Sequence, residues 1–208
     1  MSMNPENVIS HESLLGGFAD PVFDTQAVFR AVMDAMARPG LRQTVDRPLT
    51  PPAGLGHAQG AIALTLCDHD VGVWLSSGLA KSPVGAWIGF HTGARLVEEK
   101  SECQFAFLEA GTLRLTFHAF ALGSQDYPDR STTLVVELPS LTGGPELILR
   151  GPGIKEQAVI APRGLPESFL LQWQENHQQF PRGIDLILTS GCDLIGLPRS
   201  CTISLKES

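Results

Sequence analysis

The segment FPRGIDLILTSGCDLIGLPRS, residues 180–200, limits the possible folds more than any other stretch of this chain. Two apolar runs, 184–188 and 194–197, flank a short polar turn, which is the pattern of a β-hairpin. An aspartate, Asp185, stands inside the first run and Arg199 closes the second. Register decides what these two charges do. With 191–193 as a three-residue loop, Asp185 faces Arg199, Ile187 faces Leu197 and Thr189 faces Ile195, and directly opposed residues share a sheet face. With 190–193 as a four-residue loop the pairing shifts by one and Arg199 passes to the other face. The first register predicts a cross-strand ion pair. The second leaves the guanidinium free at a strand end, where its fork matches phosphate or phosphonate oxygens.

A chain of 208 residues fits one domain, read here as a flexible tail over 1–17 and a single α/β domain over 18–208. Hydrophobic residues make up 43% and charged residues 18%, the balance of a compact globular protein and not of a disordered one. The net charge of −7, from 15 Lys+Arg and 22 Asp+Glu, argues against the basic footprint of a nucleic-acid binder, while a small anionic ligand stays compatible. Charges and glycines break every apolar run short of the roughly 20 residues a membrane helix needs. The start, MSMNPENVISHES, lacks a basic stretch followed by an apolar one, so no secretory signal is expected and the cytoplasm is. Cys67, Cys103, Cys192 and Cys201 are scattered with no C-x-x-C, which predicts reduced thiols and neither a disulfide frame nor a zinc knuckle.

In DPVFDTQAVFRAVMDAMARPG, Asp24 can cap a helix whose apolar residues Val28, Phe29, Val32, Met33 and Met36 recur at three and four, with Pro39-Gly40 ending it. A short extended piece near 42–45 precedes QGAIALTLCDHD, which reads as a buried helix with Ile62, Ala63 and Leu66 on one face. VGVWLSS and QFAFLEA read as strands, and SPVGAWIGFHTG as a helix with Pro83 in its first turn. Residues 112–122 fit a strand and a helix equally well. STTLVVELPS and ELILRG are strand-like runs separated by Thr142-Gly143-Gly144-Pro145, the chemistry of a hairpin, so antiparallel pairing is expected. Pro166 can open PESFLLQWQENHQQF as a helix with Phe169, Leu170 and Trp173 on one stripe, closed by Pro181. Interleaved helices and strands with a tight hairpin predict an α/β fold, a mixed sheet covered by helices.

No histidine pair has H-x-x-x-H or H-E-x-x-H spacing, and consecutive residues in CDHD (67–70) diverge, so no metal site is expected. GFHTG puts His91 and Thr92 at a helix terminus, in a capping, packing or binding role. RGPGIK (150–155) is a turn or a weak anion cradle and matches neither phosphate-binding glycine motif. G-x-S-x-G is absent, and no catalytic constellation shows in the chain alone.

Five fragments, FADPVFDTQAVFRAVMDAMARPG, ALTLCDHDVGVWLS, FHTGA, LPSLTGGPELILRGPGI and FPRGIDLILTSGCDLIGLPRS, together resemble one family, the H subunit (PhnH) of the bacterial carbon-phosphorus lyase system. The resemblance runs from Phe18 across nearly the whole chain, and its last two fragments are the most specific. It implies a three-layer α/β fold similar to the large domain of pyridoxal-phosphate (PLP) dependent transferases, and a homodimer. No cofactor is implied, because the only lysines are Lys81, Lys100, Lys155 and Lys206 and none stands where a Schiff base is arguable. The resemblance also implies work beside subunits G, I and J, and with L in a first step that joins an alkylphosphonate to C1 of the ribose of ATP, displacing adenine. The expected product is a ribose 1-phosphonate 5-triphosphate, whose carbon-phosphorus bond is cleaved later in another subunit. On that reading the chain is a required part of a transferase and not a catalyst alone, with a phosphonate or nucleotide as its possible ligand. A pure scaffold and a freestanding PLP-like enzyme are the alternatives. The longer N-terminal tail and 112–122 depart from the family pattern. Arg199, Asp185, Thr189, His91 and Arg38 are the candidate ligand-contact residues, chosen for their chemistry and motif membership.

Overall fold

Side chains that alternate between two apolar environments fix the centre of the molecule. The computed structural model describes residues 15–111 and 116–206. In chain order the elements are α1 (Pro21–Ala37), β1 (Gln43–Thr44), α2 (His57–Leu66), β2 (Gly72–Leu75), α3 (Ser77–Ala80), α4 (Val84–Thr92) and β3 (Arg95–Leu96). They continue with β4 (Phe105–Leu108), β5 (Thr133–Glu137), β6 (Leu147–Arg150), β7 (Ala158–Ile160), α5 (Phe169–Gln178), β8 (Asp185–Ser190), β9 (Asp193–Leu197) and β10 (Thr202–Leu205). Among the described residues a seven-stranded sheet runs β1-β9-β8-β5-β4-β2-β3 and a three-stranded antiparallel sheet runs β10-β6-β7. Strands β3, β2, β4, β5 and β8 are mutually parallel, while β9 and β1 join antiparallel.

Val135 and Ile187 point to the face covered by α1, α2 and α4, together with Val73, Phe107 and Leu194. Their neighbours Leu134, Val136, Leu186 and Leu188 point to the opposite face, under Trp173 of α5 and Leu147, Leu149 and Ile203 of the small sheet. A period of two with apolar residues in both phases is what a strand buried on both faces requires. The mixed α/β sheet covered by helices is therefore as the sequence implies.

Helix α1 starts one turn earlier than its apolar pattern suggests. Asp20 is the cap, accepting from the Phe23 N–H (3.4 Å), with Pro21 in the first turn. Asp24 lies inside the helix, buried, where its Oδ2 accepts the Asp20 N–H (3.0 Å). The buried face is Asp24, Val28, Val32 and Ala35, so Phe29 and Met33 turn outward and are 49% and 52% exposed.

The expected hairpin between β5 and β6 does not form. Leu134, Val135 and Val136 are all fully buried, which demands an interior strand, and β5 pairs in parallel with β4 and β8. The turn at 142–145 instead leads the chain into the second sheet, with the Gly144 N–H donating to Ala161 C=O (2.8 Å) and a bridge between Ser140 and Arg163. The hairpin that does form is β8–β9. Its pairs are Leu186 with Leu197, Leu188 with Ile195 and Thr189 with Leu194, the pairing of the four-residue-loop alternative and not of the three-residue one. One more pair, Ser190 with Asp193, shortens the loop to Gly191-Cys192, and Gly191 supplies the positive φ of +59° that such a turn requires.

Residues 112–115 lie outside the described residues. The rest of the ambiguous segment is a 3-10 turn over Phe117–Ala119 and an isolated bridge between Leu122 and Ser131. Of the expected tail, residues 15–17 pack against the body: Leu15 C=O accepts from Trp87 Nε1 (2.9 Å) and Gly16 C=O from the Thr50 N–H (2.9 Å). No described helix is long and apolar enough to cross a membrane.

Gly196 marks where α1 meets the sheet, since a Cβ there would stand 2.7 Å from the Ala35 carbonyl. Gly196→Val is expected to push α1 outward and cost about 2 kcal/mol, as overpacked cores do. Urea unfolding of the variant checks this, and an unchanged midpoint would show that α1 does not rest on β9.

Candidate functional site at the carboxyl ends of the parallel strands

Open α/β sheets bind ligands beyond the carboxyl ends of their parallel strands, near the point where strand order reverses. Here β3 lies on one side of β2 while β4, β5 and β8 follow on the other. Gln59, fully buried in the first turn of α2, anchors this rim. Its Nε2 donates to Leu108 C=O (2.9 Å) and Val135 C=O (3.0 Å), and its Oε1 accepts the Gly56 N–H (3.2 Å). One amide thus ties the start of α2 to the end of β4 and the middle of β5. Beside it Glu137 closes β5: Oε2 accepts from Thr189 Oγ1 (2.6 Å) and Oε1 from the Gly191 N–H (3.0 Å). The carboxylate also sits against Gly56, the cap of α2, where the helix dipole favours negative charge. Further along, Glu109 Oε1 accepts the Gly78 N–H (3.2 Å).

At the outer end of the rim Asp46, His57 and Cys192 converge, with one potential ligand atom from each lying within 4.8 Å of the others. Backbone bonds hold the three segments together. The Val45 N–H donates to Cys192 C=O (2.8 Å), and the Ala58 N–H donates to Gly191 C=O (2.8 Å). The Nε2 of His57 is buried with no hydrogen-bond partner. Burial raises the Cys192 thiol above its usual range, helped by the nearby charges of Asp46, Asp193 and Glu137. The other three thiols lie in the core, where burial pushes Cys67 up to about 12 and Cys103 and Cys201 up to about 11. No spacing motif links 46, 57 and 192, so only the register of β1 on β9 and the docking of α2 could reveal the group. Asp68, His69 and Asp70 also come within 4.8 Å of one another, all exposed, while Cys67 turns inward.

The five residues singled out from sequence occupy four separate places. Arg199 and Asp185 do pair, by a route other than the expected register. Arg199 lies two residues past the end of β9, where the chain folds back, so strand alternation does not govern it. Its backbone N–H and its Nε donate to Asp185 Oδ1 (2.8 and 3.1 Å), and its Nη2 donates to Asp185 Oδ2 and to Ser131 Oγ. Nη1 donates to Pro128 C=O (2.8 Å) and more weakly to Pro181 C=O (3.4 Å). Thr189 stands at the other end of β8, on Glu137. His91 lies in the last turn of α4 with its ring 5.0 Å from those of Trp87 and Phe90, and its Nε2 is buried without a partner. Arg38 ends α1 and pairs with Asp34 across one turn (2.8 Å). RGPGIK is a turn closed by the Ile154 N–H on Gly151 C=O (3.2 Å). A hollow of about 320 Å³ beside α1, with Arg30, Arg47, Gln26 and Gln43 in its wall, is a second polar recess that the sequence did not suggest.

A large mixed sheet with a polar rim at the carboxyl ends of its parallel strands and helices packed on it defines an α/β protein, a class that hosts many unrelated functions. The chain belongs to the bacterial phosphonate metabolism protein (PhnH) family, whose sequence profile matches residues 16–204. It is 57% identical over 185 residues to the alpha-D-ribose 1-methylphosphonate 5-triphosphate synthase subunit PhnH of Rhizobium meliloti (strain 1021), covering 89% of this chain and 92% of that protein. A shorter match, 39% over 85 residues (41% of this chain, 44% of the relative), is to the putative C-P lyase subunit protein HtxG of Stutzerimonas stutzeri.

Three outcomes follow from this geometry. The Arg199 and Asp185 side chains are only 13% and 17% exposed, so Arg199→Ala strands a carboxylate and is expected to cost about 3 kcal/mol, read as a lower urea midpoint. Of the four thiols, Cys192 alone is expected to react with a bulky thiol reagent in the folded protein, at a rate that keeps rising above the ordinary thiol range of about pH 8.5. Through that same range the unfolded chain gives up protons that buried Cys67, Cys103 and Cys201 keep. Stability must therefore fall as pH rises from about 8.5 toward the folded values near 11 and 12. Unfolding midpoints measured against pH check the sign.

Proposed function

We propose that this chain is the H subunit of an alpha-D-ribose 1-methylphosphonate 5-triphosphate synthase, serving phosphonate breakdown in the cytoplasm beside carbon-phosphorus lyase subunits G, I, J and L. The observation that carries this reading is the 57% identity to the protein so named, which spans 89% of this chain. The synthase joins an alkylphosphonate to the ribose of ATP. On this reading the chain contributes a rigid body and contact surfaces to an assembly and does not carry the reaction alone.

The outer face of α1 supports an assembly role. Val22, Phe29 and Met33 fall on one helical stripe at spacings of seven and four, and all three are exposed. Burying such a stripe on a sister subunit removes apolar area from water at roughly 25 cal/mol per Å². Arg30, exposed and next in sequence to Phe29, adds a charge beside the stripe, as a polar rim edges an interface. The isolated protein is proposed to be a homodimer.

We further propose that the architecture is that of the large domain of PLP-dependent transferases without its coenzyme. The residues do not fit that group. Lys100 lies over the rings of Trp74 and Phe120 (5.0 and 5.3 Å), and Lys206 pairs with Glu146 (2.7 Å). Lys81 and Lys155 are exposed, at the end of α3 and in the turn after β6.

Co-expression with the four sister subunits tests the reading. The wild-type chain is expected to co-purify with them, while Phe29→Glu with Met33→Glu is expected to abolish co-purification and leave the melting temperature within a few degrees. A wild-type chain that stays alone would overturn the proposal. An absorbance band of bound pyridoxal phosphate would instead favour the freestanding enzyme.

A further inference from the structure

We propose that Asp46, His57 and Cys192 form a binding site for one thiophilic divalent cation of the zinc class. The inference stands apart from the proposed function, because it uses only the local donor set. A carboxylate, an imidazole and a thiol within 4.8 Å of one another form a mixed O/N/S set, which suits Zn²⁺, whereas Mg²⁺ and Ca²⁺ take oxygen ligands.

Three further observations favour a cation here. First, the donors come from three segments already joined by the backbone bonds from Val45 to Cys192 and from Ala58 to Gly191, so little ordering is left for the metal to impose. Second, the His57 ring has a buried nitrogen, Nε2, with no hydrogen-bond partner, so the imidazole is not fully committed to the protein's own hydrogen bonds. Third, the charged groups acting on Cys192 are all carboxylates, namely Asp46, Asp193 and Glu137, and such a field attracts positive charge. Two of them are already engaged: Asp193 accepts from Thr44 Oγ1 (2.6 Å) and lies 3.8 Å from Arg42, and Glu137 holds Thr189 and Gly191. Asp46 accepts a long contact from Cys192 Sγ (4.0 Å), which a metal would replace, and reaches no cationic side chain within ion-pair distance among the described residues.

Binding exchanges the thiol proton for the metal: the S–H bond breaks, a sulfur–metal bond forms and one proton leaves to solvent, with no change of oxidation state. Three protein ligands leave a fourth tetrahedral position for water or an anionic oxygen.

Cobalt(II) titration of the chelator-treated full-length protein tests the site, because a thiolate ligand gives Co²⁺ an intense near-ultraviolet charge-transfer band. The expected result is such a band saturating at about one equivalent, displaced by Zn²⁺. Zn²⁺ should also protect Cys192 of the wild-type chain from a thiol reagent, a readout that needs no variant. Cys192→Ser should abolish the band, and His57→Ala should weaken affinity by at least about tenfold, since even outer-shell partners of a metal have that effect. Circular dichroism of the metal-free variants shows whether they fold. Asp68→Asn with Asp70→Asn should leave the titration unchanged. The proposal is overturned if no band appears, if the band survives Cys192→Ser, if His57→Ala binds as well as wild type, or if saturation needs millimolar metal.

Discussion

Strand β8 is held by a polar group at each end, and the rest of the molecule is arranged around that fact. At its start Asp185 takes the Arg199 guanidinium and backbone N–H, and the same guanidinium reaches Ser131, Pro128 and Pro181. At its finish Thr189 donates to Glu137, and Glu137 in turn receives the Gly191 N–H of the hairpin loop. Between these ends Leu186, Ile187, Leu188 and Thr189 are buried, with β5 on one side and β9 on the other. The apolar middle supplies most of the drive to bury the strand. The polar ends determine where it stops, because a slip of one residue would put Asp185 and Thr189 among apolar neighbours and leave both without partners.

The rim at the carboxyl ends of the parallel strands inherits its geometry from this arrangement. Fixing the end of β8 fixes the Gly191-Cys192 loop, which receives the first turn of α2 through Ala58 and the strand extension at Val45. Gln59 then joins α2 to β4 and β5. A group of polar side chains from distant parts of the sequence is thereby assembled without any of them lying in a recognisable motif. The opposite surface of α1 has a different character. Its inner face seats on Gly196 and its outer face carries Phe29 and Met33 into solvent, which is economical in a subunit and awkward in a protein that works alone.

Much of the fold was legible because it depends on local periodicity: the helices around Val28, Ile62, Trp87 and Trp173 and the strands around Val73, Phe107 and Ile187, whereas Asp185 and Arg199 pair as expected but beyond the end of β9, through a register other than the one that predicted it. The pattern failed where local chemistry has two outcomes. Thr142-Gly143-Gly144-Pro145 turns a chain equally well into a neighbouring strand or into a second sheet, and only the burial of both faces of β5 decides between them. The two-residue edge strand β1 falls within the extended piece expected near 42–45, while β3, equally short, carries too little pattern to be seen. On α1 an apolar set wider than one face could not reveal which members look outward. The candidate ligand residues were scattered by the fold, Thr189 and Asp185 to opposite ends of one strand and His91 and Arg38 to two helix termini. The cluster of Asp46, His57 and Cys192 exists only through strand register and helix docking.

Native-state amide hydrogen exchange measures the central claim most directly. If β8 is the clamped centre of the sheet, the amides of residues 186–189 should be the slowest in the chain, opening only with global unfolding, and those of β6, β10 and α5 should exchange sooner. Amides of 186–189 that exchange through local opening, while β6 and α5 stay protected, would contradict the account.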